Sequence, residues 1–424
     1  MNGDLRRAED ILAELRGARR RAPSAFDEPP APTDLSTRVE RILGSVLGVE
    51  HVEPLASFGQ LGGDSLLGVR VLSRCQRELA VELPLAALGP STTLPELVAA
   101  VEAELATPTT DRIPVRQPST DGTVPTSTEQ RALLRLHDID PGAPTYHEPI
   151  QLELHGHLDP ARLRDACAAL LRRHEALRTV FHLRNGSVVA TPDGSLDYVE
   201  LDLGSATAAE RAHAIHEAAL SPMDLTTSAI RYRLLRVGVD RNLLVIVAHH
   251  TVIDALSMRI VVRDLLSIYH NGDARDLPEL PVSALDLVPW AETAQTDRVR
   301  DQRREYWHQR LAGAPELLTL PVDQPRSPWR GTGGARIALW VPTRITRLVA
   351  DLAATEGASL FDAVVTSLAL VLRRYATQDD IVLGFPVSGR SRVETQDVVG
   401  YLARLVPLRL TFDEHSTVAE SLAR

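Results

Sequence analysis

Leu243-Leu244-Val245-Ile246-Val247-Ala248-His249-His250-Thr251-Val252-Ile253-Asp254 runs six apolar residues into a histidine pair and, four positions beyond His250, an aspartate. An unbroken apolar run of this kind, followed by helical periodicity over 255–269, predicts a strand buried on both faces of an α/β sheet. Junctions from strand to helix project side chains into clefts, where reacting groups are held. A histidine placed there can take a proton from an attacking amine near neutral pH. By itself the pair also fits two structural histidines packed at a strand end. Zinc is a third alternative by ligand type, but adjacent side chains diverge and no further histidine or cysteine motif completes a ligand set.

Outward from that run, the pattern from Val124 onward is mixed α/β. Ile150, Leu152 and Leu154 alternate and predict a strand over 149–156. Asp159-Pro160 reads as cap and first-turn proline of a helix reaching about His174. Further strands are expected at 177–183, 230–237, 381–385 and 404–412, and helices at 301–311, 343–356 and 359–375.

Upstream, two proline-rich stretches read as extended linkers, 22–33 and 106–123. Residues 4–21 have the apolar stripe Leu5, Ala8, Ile11, Leu12 and Leu15 of one charged amphipathic helix, a solvated tail or an element that docks on a partner. Residues 34–105 read as a small all-α bundle. Its first helix puts Leu35, Val39, Ile42, Leu43, Val46 and Leu47 on one face, and its last opens on the capping box Thr93 and Glu96. Between them, Leu61-Gly62-Gly63-Asp64-Ser65-Leu66 makes a tight glycine turn that delivers Ser65 to a helix N-terminus. That position exposes a hydroxyl where the helix end favours a phosphate attached to it. A plain capping serine is the ordinary alternative. Gly63-Asp64-Ser65-Leu66 also spells the motif of the GDSL hydrolases, which need a serine at a strand end and a triad elsewhere.

Composition narrows the function. The chain has 424 residues, 44% of them apolar, with 46 basic against 56 acidic groups and a net charge of −10, so nucleic acid is not an expected partner. Every basic residue is arginine. The absence of lysine excludes a P-loop lysine, a Schiff-base lysine and any lysine nucleophile or base. Two distant cysteines, Cys75 and Cys167, provide no disulfide framework or thiolate metal site. No apolar run spans a bilayer and no signal peptide is read at Met1, so a soluble, cytoplasmic protein without a membrane partner is expected.

The helical unit resembles a peptidyl carrier protein of nonribosomal peptide synthetases. The resemblance rests on Gly44 and Gly48, Val49-Glu50-x-Val52, Phe58, Leu61 to Leu66 and Val81-Glu82-Leu83-Pro84-Leu85. It implies that Ser65, set among Gly63, Asp64 and Leu66, receives a 4′-phosphopantetheine arm from a phosphopantetheinyl transferase. Residues 124–424 resemble the condensation domain of the same synthetases, whose signature is HHxxxDG. Ser127 and Gln130 fit its opening block, and Arg173-His174-Glu175-Ala176-Leu177-Arg178-Thr179-Val180-Phe181 matches R-H-E-x-L-R-T-x-F at every fixed position. Pro141-Gly142 and Tyr146, then Asp286 and Trp290, then Tyr306-Trp307, then Asp379 to Gly384 with Pro386 and Gly389-Arg390 follow in order. The implied fold is multi-domain: a four-helix carrier bundle, then two chloramphenicol-acetyltransferase-like α/β lobes, 124–290 and 291–424, the second incomplete.

By the same resemblance His250 deprotonates or orients the acceptor amine, His249 is structural, and Asp254 makes a structural ion pair with Arg390. Ser127, Gln130 and Arg178 support the site, and no metal is implied. The carrier's thioester would be condensed with an aminoacyl group on a downstream carrier. Because no adenylation domain precedes the carrier, its amino acid is expected from a module acting in trans. The pattern departs at Ala255 for the motif's glycine, a methyl expected to restrict the backbone, at Ala132 and Leu134, and at Gly400 to Leu405, where asparagine and threonine are missing. A degenerate condensation domain that only docks carriers is the competing class.

Overall fold

A computed structural model describes residues 6–7, 34–49, 51–63, 65–79, 81, 83, 87–106, 113–117, 119–184, 187–293, 297–324, 337–390, 392–413 and 415–422. They fall into two compact units: one from 112–295 and 394–404 with Arg6–Arg7, the other from 28–111, 296–393 and 405–424.

In the second unit, the segment after the first linker is helical. α1 (Leu35–Leu47) starts where the Asp34 carboxylate accepts from the Thr37 N–H and stops at Gly48, whose φ of 74° is left-handed. α2 (Ser65–Leu79) and α3 (Leu94–Ala106) follow, and Glu96 reaches back to the Thr93 N–H at 2.8 Å. Val39, Ile42, Leu43, Phe58, Val71, Leu97 and Val101 form the core. Each such side chain contributes about 1.5–3 kcal/mol on leaving water, offset largely by the entropy of ordering the chain. Arg38 and Arg41 of α1 clamp Glu78 of α2, through its carbonyl at 2.6 Å and its carboxylate at 2.8 Å. Cys75 of α2 is fully buried, and burial pushes its thiol up to about 12. Three helices of the expected four are described here, and between α2 and α3 only 81, 83 and 87–93 are described. No strand occurs among the described residues of this bundle, so the strand end that a GDSL serine needs is not found before Ser65.

The first unit is built on one sheet. β1 (His147–His155), β4 (Asp197–Asp202), β5 (Ile230–Gly238) and β6 (Arg241–His249) lie in the order β1-β6-β5-β4, with Arg6–Arg7 on the outer edge of β1. β6 pairs antiparallel with both neighbours, and β4 pairs parallel with β5. As the central strand β6 buries Leu243 to His249 on both faces. β2 (Val180–Arg184) and β3 (Ser187–Thr191) form a separate hairpin. α4 (Thr128–Ile139), α5 (Pro160–Arg173), α6 (Ala208–Leu220), α7 (Ala255–Asn271) and α8 (Ala284–Thr293) complete the unit. Cys167 of α5 is fully buried in this core, and burial raises its thiol pKa.

The rest of the second unit has α9 (Asp297–Leu311), α10 (Thr343–Thr355), α11 (Leu360–Ala376) and α12 (Val418–Leu422), with β7 (Asp380–Val387) paired to β8 (Arg404–Thr411). Arg409 of β8 grips Asp380 of β7 through two guanidinium nitrogens, at 2.9 and 2.6 Å.

Two expectations are corrected. The strand expected over 177–183 begins only at Val180, because Glu175–Arg178 winds into a 3-10 turn closed by the Thr179 hydroxyl on the Glu175 carbonyl. Leu177 is fully buried from that turn, so its burial did not require a strand. Of the helix expected over 4–21, Arg6–Arg7 are instead extended, opposite Leu152 and Glu153, and the remainder lies outside the described residues. No single described helix is long and apolar enough to cross a bilayer.

Candidate active site and carrier attachment site

Strand alternation separates the two histidines. His147 lies opposite His249 in the β1–β6 register, and Glu148 lies opposite Ala248. Continuing the alternation past β6 puts His250 on the face that carries Glu148. His249 therefore turns inward, 1% exposed, into edge contacts with His137, Tyr146 and His147 at centroid distances of 5.2, 6.3 and 6.2 Å. Burial, with the neighbouring His137, His147 and His250, holds its pKa down to about 3. Burial also brings His147 down to about 4 and lowers His137.

His250 is half-buried. Its backbone N–H donates to the Tyr146 carbonyl at 2.8 Å, and its Nδ1 lies 2.7 Å from the Ile253 carbonyl. A carbonyl can only accept, so Nδ1 carries the hydrogen and Nε2 of the neutral ring presents a lone pair. His249 has the opposite tautomer, because its Nδ1 accepts from the Thr251 N–H at 3.3 Å. The Tyr401 ring packs against the His250 ring at 4.6 Å, and the Glu148 carboxylate lies 3.8 Å from Nε2.

The loop is fixed from three sides. Asp254, 2% exposed, caps α7 by accepting from Ser257 N–H at 2.8 Å, and its other oxygen accepts from Leu402 and Ala403 N–H at 3.1 Å each. Ser127 and Gln130 form a capping box at the start of α4, and the Gln130 amide donates to the Thr251 carbonyl at 2.8 Å. Gly400 completes the frame: Ser257 Oγ donates to its carbonyl at 2.8 Å, and a side chain at Gly400 would meet Ala284 Cβ at 2.4 Å. Behind the loop a cavity of about 20 Å³, room for one water, is lined by Gln130, Val252, Gly400 and Tyr401 among others.

Arg178 joins Glu175 at 3.2 Å and the Pro192 carbonyl. Glu175 also takes Arg116, whose backbone N–H donates to Asp286 at 2.9 Å. This network ties the 3-10 turn to the residues before α4 and to α8. Arg390 is a residue of the second unit, 3% exposed, and its guanidinium donates to the Ser388 carbonyl at 3.2 Å. Ala255, expected to restrict the backbone, is an exposed first residue of α7, and Thr377 is the only non-glycine with positive φ among the described residues. The substitution therefore imposes no left-handed strain. Among the described residues no cluster of histidine, cysteine and carboxylate can hold a metal.

At the attachment site, α2 opens at Ser65, three positions after the left-handed Gly62, φ 83°. Gly63 donates its N–H to the Phe58 carbonyl at 2.8 Å, and a Cβ there would lie 2.5 Å from the buried Phe58 ring. The turn is thus closed against the core, and the first turn of α2 contains no acidic residue. The dipole of α2 fits a phosphodiester on Ser65. Leu66 follows in α2, and Asp64 lies outside the described residues.

Sequence reasoning missed Glu148 and the contact of Tyr401 with His250. Nothing local marks Glu148, and only the pairing of two distant strands brings it to the histidine.

A family model described as Condensation domain matches residues 120–424, and one described as Phosphopantetheine attachment site matches 37–101. Tyrocidine synthase 2 of Brevibacillus parabrevis is 31% identical over 386 residues, 89% of this chain and 10% of that protein. Phosphinothricin tripeptide synthetase PhsC of Streptomyces viridochromogenes is 34% identical over 319 residues, 73% of this chain and 29% of that one. The chain thus spans less than a third of either relative. The X-domain in complex with OxyB from teicoplanin biosynthesis shares the fold at a TM-score of 0.64 and 24% identity, over 74% of this chain and 70% of that one. The first condensation domain of the calcium-dependent antibiotic synthetase, with a substrate analogue, does so at 0.57 and 22%, over 71% and 72%. With the carrier bundle ahead of the histidine-bearing sheet and both family models matched in that order, the chain belongs to the nonribosomal peptide synthetases, as a phosphopantetheine carrier domain followed by a condensation domain.

Proposed function

We propose that this chain holds an acyl or peptidyl thioester on a Ser65-linked 4′-phosphopantetheine and that its condensation domain forms an amide with an aminoacyl group on a downstream carrier. When bound, the arm supplies a thiol for the thioester. The observation that carries the catalytic part is the hydrogen bond from His250 Nδ1 to the Ile253 carbonyl, which aims an unprotonated Nε2 away from the loop. Nε2 takes a proton from the acceptor amine as its nitrogen bonds to the thioester carbonyl, and returns it to the sulfur as the carbon–sulfur bond breaks. Asp254, Gln130 and Gly400 keep the imidazole at its height and angle, and His249 remains neutral behind it. A thioester is already activated, so orientation supplies a large part of the rate.

A phosphopantetheinyl transferase and an adenylating domain are the partners this reading requires. Intact mass after incubation with coenzyme A and a broad-specificity transferase should show one pantetheinyl addition, absent in Ser65→Ala. Condensation by the loaded chain should fall at least 100-fold in His250→Ala, in line with loss of a general base. No addition to the folded chain refutes the carrier role. Addition without turnover, on a folded wild-type chain offered a loaded acceptor, would instead favour a docking domain.

A further inference from the structure

Resting on the reading of His250 as the proton acceptor, we propose that Glu148 is a positioning residue for it, tuning the basicity of Nε2 from the neighbouring strand. The geometry is specific. Glu148 lies opposite Ala248, so β1 carries its carboxylate to the face of β6 on which His250 emerges. Oε1 is 3.8 Å from Nε2, the nitrogen left without the ring hydrogen, and the other nitrogen is committed to Ile253. Two residues earlier on the same chain, the Tyr146 carbonyl holds the His250 N–H. One short segment, 146–148, therefore both anchors the histidine backbone and places a negative charge at its reactive edge.

Other groups face the imidazole from the neighbouring elements, and Glu148 stands 3.8 Å from its reactive nitrogen. From 400–403 comes the Tyr401 ring, with a hydroxyl that burial holds in its neutral form. From β6 comes neutral His249, and from the loop comes Asp254, whose oxygens are engaged by three backbone N–H groups. The Glu129 carboxylate acts on the Tyr401 hydroxyl. A carboxylate at this distance favours the imidazolium that forms when Nε2 accepts a proton, and so strengthens the base. Both side chains are partly open to water, at 27% and 41% exposure, so the attraction is modest and salt weakens it.

The test separates this from the condensation reading by following the ring itself. In the full chain labelled with ¹³C-histidine, the His250 resonance is assigned by its loss in His250→Ala and titrated against pH. Glu148→Gln, close to isosteric, should lower the midpoint by about half a pH unit. Raising sodium chloride to about 0.5 M should lower it in the wild-type chain and leave Glu148→Gln unmoved. The acid limb of the condensation rate should shift the same way, with kcat reduced about 3- to 10-fold, pantetheinylation unchanged and Glu148→Asp recovering part of the loss. A midpoint that neither the variant nor salt moves overturns the proposal, whatever the turnover. A midpoint that moves in a chain without turnover keeps the coupling and refutes the condensation reading.

Discussion

At His249 the ring is shut among His137, Tyr146 and His147, and the free energy of charging it has no outlet there. In the unfolded chain these histidines take a proton near pH 6.5, whereas in the fold His147 waits until about 4 and His249 until about 3. Between those limits the unfolded state binds more protons, so stability falls as pH falls. Urea unfolding followed at pH 7 and pH 5 should show a loss of about 2–4 kcal/mol from this pair. His147→Leu, with one titrating group fewer, should lose less. A stability that stays level over this window would mean that the buried rings charge without cost. The neighbouring His250 lies on the other face of the same alternation and is half-buried. One strand thus ends in adjacent histidines with opposite surroundings, one buried and one half-buried.

Where α7, α8 and 400–403 meet, the packing leaves no room for a methyl group. Ser257 Oγ donates to the Gly400 carbonyl and accepts its N–H, and Ala284 stands where a Gly400 side chain would be. Gly400→Ala should cost about 1–3 kcal/mol by overpacking, and Ala284→Gly in the same chain should return part of it. Unfolding curves of the two singles and the double decide, and a cost that Ala284→Gly leaves untouched would place the strain elsewhere. Elements of this kind divide into those legible in the sequence and those not. β6 announced itself by its apolar run, α5 by Asp159-Pro160 and α3 by Thr93 and Glu96, because cap chemistry and burial are local. β4 is not legible because Asp197–Asp202 shows no buried face, its residues being half-buried or exposed, and is held by its parallel partner β5. The frame of the site was partly legible. Its motif residues were visible, whereas Glu148 and the bond from Gln130 to Thr251 depend on pairings between distant segments that no short pattern encodes.

Across the whole molecule, both cysteines lie at zero exposure, Cys75 in the carrier core and Cys167 in the sheet unit, each with its thiol held protonated by burial. A maleimide at pH 7 should therefore leave the unloaded native chain unlabelled, and add once per chain after pantetheinylation. Rapid labelling before loading would show that one of these cores opens. The same burial bears on cargo. A thioester is lost to any thiolate or amine that reaches it, and this chain offers neither an open thiol nor a single lysine. Both cysteines are walled off as packing atoms, so under the proposed carrier role neither would compete for an acyl group held on the pantetheine thiol.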